Sequence, residues 1–317
     1  MTQSVPVVHL SDFDRGGALR ADFIRTVGDA IKDLGFVRVK GHEVTPAVTA
    51  PAYRAVRDFF EQPEAVKRSY IVPNGAGQRG YTPFGAEHAK GNPSPDLKEF
   101  WHVGRELPPA HALYPAYSPN IWPQEVEGFK DAMLALYRSL EVASNRLLRA
   151  LALYLGEPED TFTRLTDNGN TVLRALRYPP LTGIEIEPGA VRAAAHEDIN
   201  FITLLIASTA DGLQLLRRDG TWLSVNAEPG EIVADSGDML SRVTNGVIPA
   251  TTHRVVNPDD ARTERFSMPF FVHPRPEAVL SVLPQFRGAG FPPPPADITG
   301  QGFLDERLAE IGLKKKA

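Results

Sequence analysis

The sequence predicts an α+β fold in which N-terminal helices and a C-terminal helix flank a jelly-roll core of short antiparallel strands. Two observations lead there. Two long segments ahead of residue 168 carry apolar residues at helical spacing, and from about Asn170 the apolar residues gather instead into short β-prone runs. Those runs are separated by Gly, Pro, Asp and Asn at fairly regular intervals, the punctuation of an antiparallel sandwich or barrel.

The first helix is marked by Leu19, Phe23, Val27, Ala30, Ile31 and Leu34, with Gly35 as its stop, and an alternating strand, Phe36-Val37-Arg38-Val39, follows. The second is longer. Phe129, Met133, Leu136, Leu140, Ala143, Leu147, Leu151 and Leu155 form one core-facing stripe, ended by Gly156 and Pro158. Strands are then expected at Thr171 to Leu176, Phe201 to Ile206, Leu213 to Leu216, Glu231 to Ala234, Thr251 to Val256 and Phe266 to Val272. Asp211-Gly212, Asp219-Gly220, Pro229-Gly230, Ser236-Gly237 and Asn245-Gly246 supply turns between them. A Pro-rich connector, Phe291 to Pro295, leads to a last helix near Phe303 to Ile311, and Lys314-Lys315-Lys316 reads as a solvated tail. Four segments result: 1–120 as an N-terminal region, 121–168 as a long supporting helix, 169–275 as the core and 276–317 as a C-terminal segment.

Composition narrows the function classes. At 317 residues a chain buries roughly 75% of its unfolded surface, so no covalent staple is required. A net charge of -5 argues against nucleic acid as the main partner. The absence of cysteine excludes disulfides, thiolate-held metals and a Cys nucleophile, so any metal must sit on His, Asp or Glu. The start has neither a basic nor a long apolar stretch, and no run is long enough to span a bilayer. The expectation is a cytoplasmic protein with a small-molecule substrate and no membrane partner, monomeric by default.

One motif is a decoy. Gly75-Ala76-Gly77-Gln78-Arg79-Gly80 satisfies the G-x-G-x-x-G pattern of NAD(P) dehydrogenases, which works only between a strand and a helix whose N-terminus takes the pyrophosphate. Here Pro73 precedes the glycines, and Pro83 and Gly85 follow, so no helix is expected. The stretch reads instead as a loop beside a pocket, with Arg79, Tyr81 and Phe84 as candidate substrate contacts.

The chemistry lies further on. In the extended stretch Ala195-His196-Glu197-Asp198, residues i and i+2 share a face, so His196 and Asp198 can reach one metal. An H-x-D alone is weak, since eight histidines give roughly an even chance of one by accident. His253, in Thr251-Thr252-His253-Arg254-Val255, supplies the second imidazole. Two imidazoles and a carboxylate form the facial triad of non-haem Fe(II) oxygenases, which leaves positions open for a chelating co-substrate and O₂. Arg265 and Ser267, again i and i+2 on a strand, offer a guanidinium and a hydroxyl to a carboxylate, and Tyr178 a further hydroxyl. His273 would close the open face if it were a fourth ligand, so it is read as structural. Trp101-His102 is read either as packed or as facing the mouth of the site.

Together these residues resemble the isopenicillin N synthase-like family of Fe(II)- and 2-oxoglutarate-dependent dioxygenases. The resemblance extends through Val5 to Leu10, Leu34-Gly-Phe-Val37, Leu176-Arg-Tyr-Pro-Pro180, Gly212-Leu-Gln-Leu-Leu216, Asp219-Gly-Thr-Trp222 and Gly237-Asp-Met-Leu240. It implies a double-stranded β-helix core with iron on His196, Asp198 and His253. It also implies 2-oxoglutarate held by Arg265, Ser267 and Tyr178. In that family O₂ cleavage of the keto acid to succinate and CO₂ is coupled to oxidation of a substrate C–H bond. The near alternative is an iron oxidase of the same fold that uses no 2-oxoglutarate, because such relatives carry the same Arg/Ser pair.

Overall fold

A computed structural model of the chain describes residues 4–73, 75, 77–88, 94–186 and 189–310, so the expected basic tail at Lys314 to Lys316 lies outside the described residues. The N-terminal strand β1 (Val7–His9) and short helix α1 (Ser11–Arg15) lead into α2 (Gly17–Leu34), which buries Phe23, Val27, Ile31 and Leu34. Gly35 ends α2 in the left-handed conformation at φ 70°, donating its N–H to the Ile31 carbonyl. A side chain at Gly35 would also collide with Thr251, so both backbone and space call for glycine. Strand β2 (Phe36–Lys40) follows.

Helix α3 (Pro46–Phe60) has no counterpart in the sequence reading. Pro51 lies inside it, removes one intrahelical donor and so argues against a helix, while Pro46 opens the helix. Burial of Ala52, Val56, Phe59 and Phe60 against the rest of the core outweighs propensity. After α4 (Glu64–Ser69), the glycine stretch ends in a strand, β3 (Gly80–Thr82), paired with β4 (Glu99–Gly104), so no helix is there to seat a dinucleotide phosphate. The long helix α5 (Phe129–Tyr154) and α6 (Thr163–Thr166) complete this half.

Strands β5 (Val172–Tyr178), β6 (Ala193–His196), β7 (Ile202–Ile206), β8 (Leu213–Leu216), β9 (Trp222–Ser224) and β10 (Ile232–Ser236) come next. Helix α7 (Asp238–Val243), β11 (His253–Val255), β12 (Arg265–Ser267), β13 (Pro269–Val272) and α8 (Gly300–Glu310) finish the described chain. The expected run from Phe266 to Val272 is thus two strands. β12 pairs β5 alone, whereas β13 lies between β5 and β7.

Two sheets form the jelly roll. The larger has the order β1-β2-β10-β7-β13-β5-β4-β3, with β12 alongside β5, and the smaller β6-β11-β8-β9. Strands from both halves of the sequence therefore share one sheet. Alternation sorts their side chains. Val37, Val39, Leu173, Leu204 and Phe270 face α2, α3 and α5, while Phe36, Leu176, Tyr178 and Val233 meet Ala193, Leu215 and Val255 of the smaller sheet. Among the described residues no helix is long and apolar enough to cross a membrane.

Candidate active site

His196 ends β6 and His253 opens β11, and the two stand directly opposite in the ladder. That pairing sets their ring centroids 4.5 Å apart. Asp198, two residues beyond β6, brings Oδ1 to 3.8 Å from the Nε2 of each histidine. Among the described residues these three form the group able to hold a metal ion, with ligand atoms all within 4.8 Å.

The second layer fixes which atoms face inward. His196 Nδ1 lies 2.7 Å from the Ala194 carbonyl and His253 Nδ1 3.1 Å from that of Thr251. A carbonyl only accepts, so each Nδ1 carries the proton and each Nε2 keeps a free lone pair. Burial, with His253 beside it, lowers the His196 pKa to about 4 against the opposing pull of Asp198, so the ring is neutral at working pH. Thr203 on β7 donates its hydroxyl to Asp198 Oδ2 and in turn accepts from Asn200 Nδ2 at 2.9 Å, leaving Oδ1 to the cluster. Asp235, opposite Thr203 across β7 and β10, is pushed well above the usual carboxylate range by burial and by Asp198.

A second polar cluster lies between the sheets. Arg265 pairs with Tyr178 in the β12–β5 ladder and Ser267 with Leu176, all in a buried, largely apolar setting. The Arg265 guanidinium sits 5.0 Å from the Tyr178 ring centre and spends Nε on the Ala210 carbonyl at 3.0 Å. Its Nη1 is buried without a partner.

His196 and Asp198 line a cavity of about 540 Å³. One wall is charged. Arg174 grips Glu87 with two hydrogen bonds of 3.1 and 3.2 Å, and Lys98 joins Glu87 and Asp96 at 2.7 Å each. Arg174 also donates to His102 Nε2 at 2.6 Å, and burial followed by this cation holds His102 well below its usual pKa. Leu304, Arg307 and Leu308 of α8 close another side, with Arg307 tied to Asp238 at 3.1 Å.

The candidate substrate contacts lie elsewhere. Arg79 is buried and donates to the Ser118 and Gln78 carbonyls, and Tyr81 is buried with its hydroxyl 2.5 Å from Glu99. Both border a neighbouring pocket of about 180 Å³, and Phe84 lines neither cavity. The cause is the short β3 strand, which turns Tyr81 toward Phe59 in the helical core. His273 faces the cavity, outside the three-residue metal cluster. Sequence reasoning misses Glu87, Lys98 and Arg174. Only a charged residue in the apolar stretch around Arg174 hints at them.

Two family models match the chain. Residues 5–125 match the non-haem dioxygenase in morphine synthesis N-terminal family, and residues 169–274 the 2OG-Fe(II) oxygenase superfamily. A 2-oxoglutarate-Fe(II) type oxidoreductase of Aspergillus fumigatus is 31% identical over 307 residues, covering 93% of this chain and 90% of the relative. Among solved structures, a 2OG-Fe(II) oxygenase family protein from Caulobacter crescentus aligns with a TM-score of 0.87 at 39% identity, over 98% of this chain and 100% of that one. A full-length Neurospora crassa protein in complex with alpha-KG and thymine aligns at 0.84 and 27% identity, over 96% of each chain.

Proposed function

Because this chain belongs to the 2OG-Fe(II) oxygenase superfamily and is an Fe(II)- and 2-oxoglutarate-dependent dioxygenase, we propose that His196, Asp198 and His253 hold its iron. Arg265, Ser267 and Tyr178 hold the remote carboxylate of 2-oxoglutarate. The observation that carries this reading is the convergence of the His196 and His253 Nε2 atoms on Asp198 Oδ1, beside a cavity that His196 and Asp198 line. Three ligands on one side leave the other side open, the donor set and geometry that Fe(II) oxygenases require. Iron so bound would activate O₂ against the keto acid, giving succinate, CO₂ and oxidation of a substrate C–H bond.

The chain's own residues orient and exclude. Thr203 fixes the Asp198 carboxylate, and the backbone carbonyls of Ala194 and Thr251 fix the imidazoles. Arg265 and Ser267 set the co-substrate's reach from the triad, and the apolar residues between the sheets keep water from it. The substrate binds in the 540 Å³ cavity. Its charged wall of Glu87, Lys98 and Arg174 faces the apolar Leu304 and Leu308, which suits a compact polar molecule, of the order of the thymine carried by the Neurospora crassa neighbour. The region 169–275 carries the triad and the Arg/Ser pair, and so constitutes the catalytic core.

Anaerobic Fe(II) loading followed by succinate analysis under O₂ tests the assignment. Wild type should bind one iron per chain and convert 2-oxoglutarate slowly without substrate. Asp198→Ala should lose iron and activity with the fold retained, because its helices and sheets do not depend on metal. Full iron occupancy in Asp198→Ala would sink the ligand assignment. A panel of nucleobases, amino acids and aromatic acids should contain compounds that accelerate 2-oxoglutarate consumption, and stimulation by polymers alone would refute the small-molecule reading.

A further inference from the structure

Arg192 stands just before β6, four residues ahead of His196, with no exposed surface. It donates Nη2 to the carbonyl of Thr263, two residues ahead of Arg265, while its Nε and Nη1 find no partner. Its guanidinium lies 5.7 Å from the Tyr178 ring centre, on the residue that Arg265 also approaches at 5.0 Å. Among the described residues neither arginine forms an ion pair. Burial first and Arg265 second lower the pKa of Arg192 to about 10, and no carboxylate acts on it in return.

Two buried like charges around one aromatic ring, without a counter-ion, are costly in any fold. Neither can shed its proton at working pH. A tyrosine face attracts a cation only modestly, so it does not offset the desolvation of two. The arrangement makes physical sense when an anion with several acceptor sites enters between them. A carboxylate has about four such sites. Ser267 and one arm of Arg265 leave acceptors for a second guanidinium.

We propose that Arg192 is a second cationic anchor for 2-oxoglutarate, acting with Arg265 around Tyr178 on the carboxylate remote from the metal. This rests on the co-substrate site assigned above and adds a residue to it. Arg192 and His196 sit on one continuous segment, so that segment positions both ends of the co-substrate.

The test is calorimetric titration of the anaerobic Fe(II) protein with 2-oxoglutarate and with 2-oxopentanoate, which keeps the keto acid end but carries a methyl group in place of the remote carboxylate. In Arg192→Gln the affinity for 2-oxoglutarate should fall about tenfold or more, with that for 2-oxopentanoate unchanged. A merely structural role would weaken both ligands alike, and that result overturns the inference. Unchanged 2-oxoglutarate binding in Arg192→Gln, with Arg265→Ala severely weakened, overturns it while leaving the co-substrate site intact. Should Arg192→Gln fail to fold, Arg192→Lys carries the test, since a single-point charge cannot reproduce the planar donor set. The same selective loss is expected there, and an unchanged ratio of the two affinities overturns the inference. A wild-type protein that binds no 2-oxoglutarate overturns this inference together with the assignment beneath it.

Discussion

Asp198 has two oxygens with different tasks, and Thr203 is what separates them. Its hydroxyl holds Oδ2, so Oδ1 alone faces the two imidazoles. Thr203→Val keeps the shape of the side chain and removes the donor. Loss of such an outer partner typically costs 10- to 100-fold in metal affinity. Competition with a chelator should therefore show Fe(II) binding weakened by about tenfold or more, with a melting temperature of the metal-free protein close to wild type. An unchanged iron affinity would mean that Thr203 does not orient the ligand. The pairing of His196 with Asp198 is suggested by their H-x-D spacing, although β6 ends at His196 and Asp198 follows in a loop. His253, by contrast, joins them only through a ladder between distant strands. Thr203, Asn200 and Arg192 are not legible. Each is defined by a neighbour across a ladder or a loop, and sequence spacing carries no trace of register between distant strands.

At the scale of elements, the loop bearing Asp198 is held by the start of α7. The backbone N–H groups of Asp238 and Met239 donate to the carbonyls of Asp198 and Asn200 at 2.7 and 3.1 Å, and Gly237 donates to Phe201 at 3.0 Å. So close an approach leaves no room at residue 237. A methyl group there would collide with the Asn200 carbonyl and come within 2.7 Å of that of Asp198. Gly237→Ala should cost about 1–3 kcal/mol of stability from this overpacking. It should also weaken iron binding, because relief requires the Asp198 loop to move. Thermal melts with and without Fe(II) measure both effects, and a variant equal to wild type in each would show that the backbone contact is soft. The Ser236-Gly237 turn signal is readable, but its docking on the Asp198 loop is not. Helix α3 escapes the sequence reading for a different reason. Pro51 masks a modest apolar pattern, whereas in the fold Phe59 and Phe60 pack among Tyr81, Trp101 and Phe266.

Across the whole molecule, a chain of buried polar and charged groups joins the N-terminal region to β6. His102 and Arg174 pair across β4 and β5, Arg174 grips Glu87, Lys98 bridges Glu87 to Asp96, and Asp96 accepts from the backbone N–H of Ala194 at 3.0 Å, two residues before His196. Burial alone would raise the Glu87 carboxyl, but Arg174 and Lys98 overcome it and hold the group well below its ordinary value near 4.5. A depressed carboxylate contributes stability that is present above its unfolded pKa and lost as pH falls through its folded one. The contribution of Glu87 is thus complete at neutral pH and declines below about pH 4.5. Glu87→Gln leaves Arg174 and Lys98 buried with less opposing charge, at a cost of about 3–5 kcal/mol near pH 7. The gap to wild type should then narrow on acidification, because below about pH 4.5 the unfolded chain takes up a proton at Glu87 that the folded carboxylate still resists, whereas glutamine has no such linkage. Denaturant titrations of both proteins between pH 7 and pH 3 give that gap directly. A gap that stays constant over this range would show that Glu87 is not the charge that ties the cavity wall to β6.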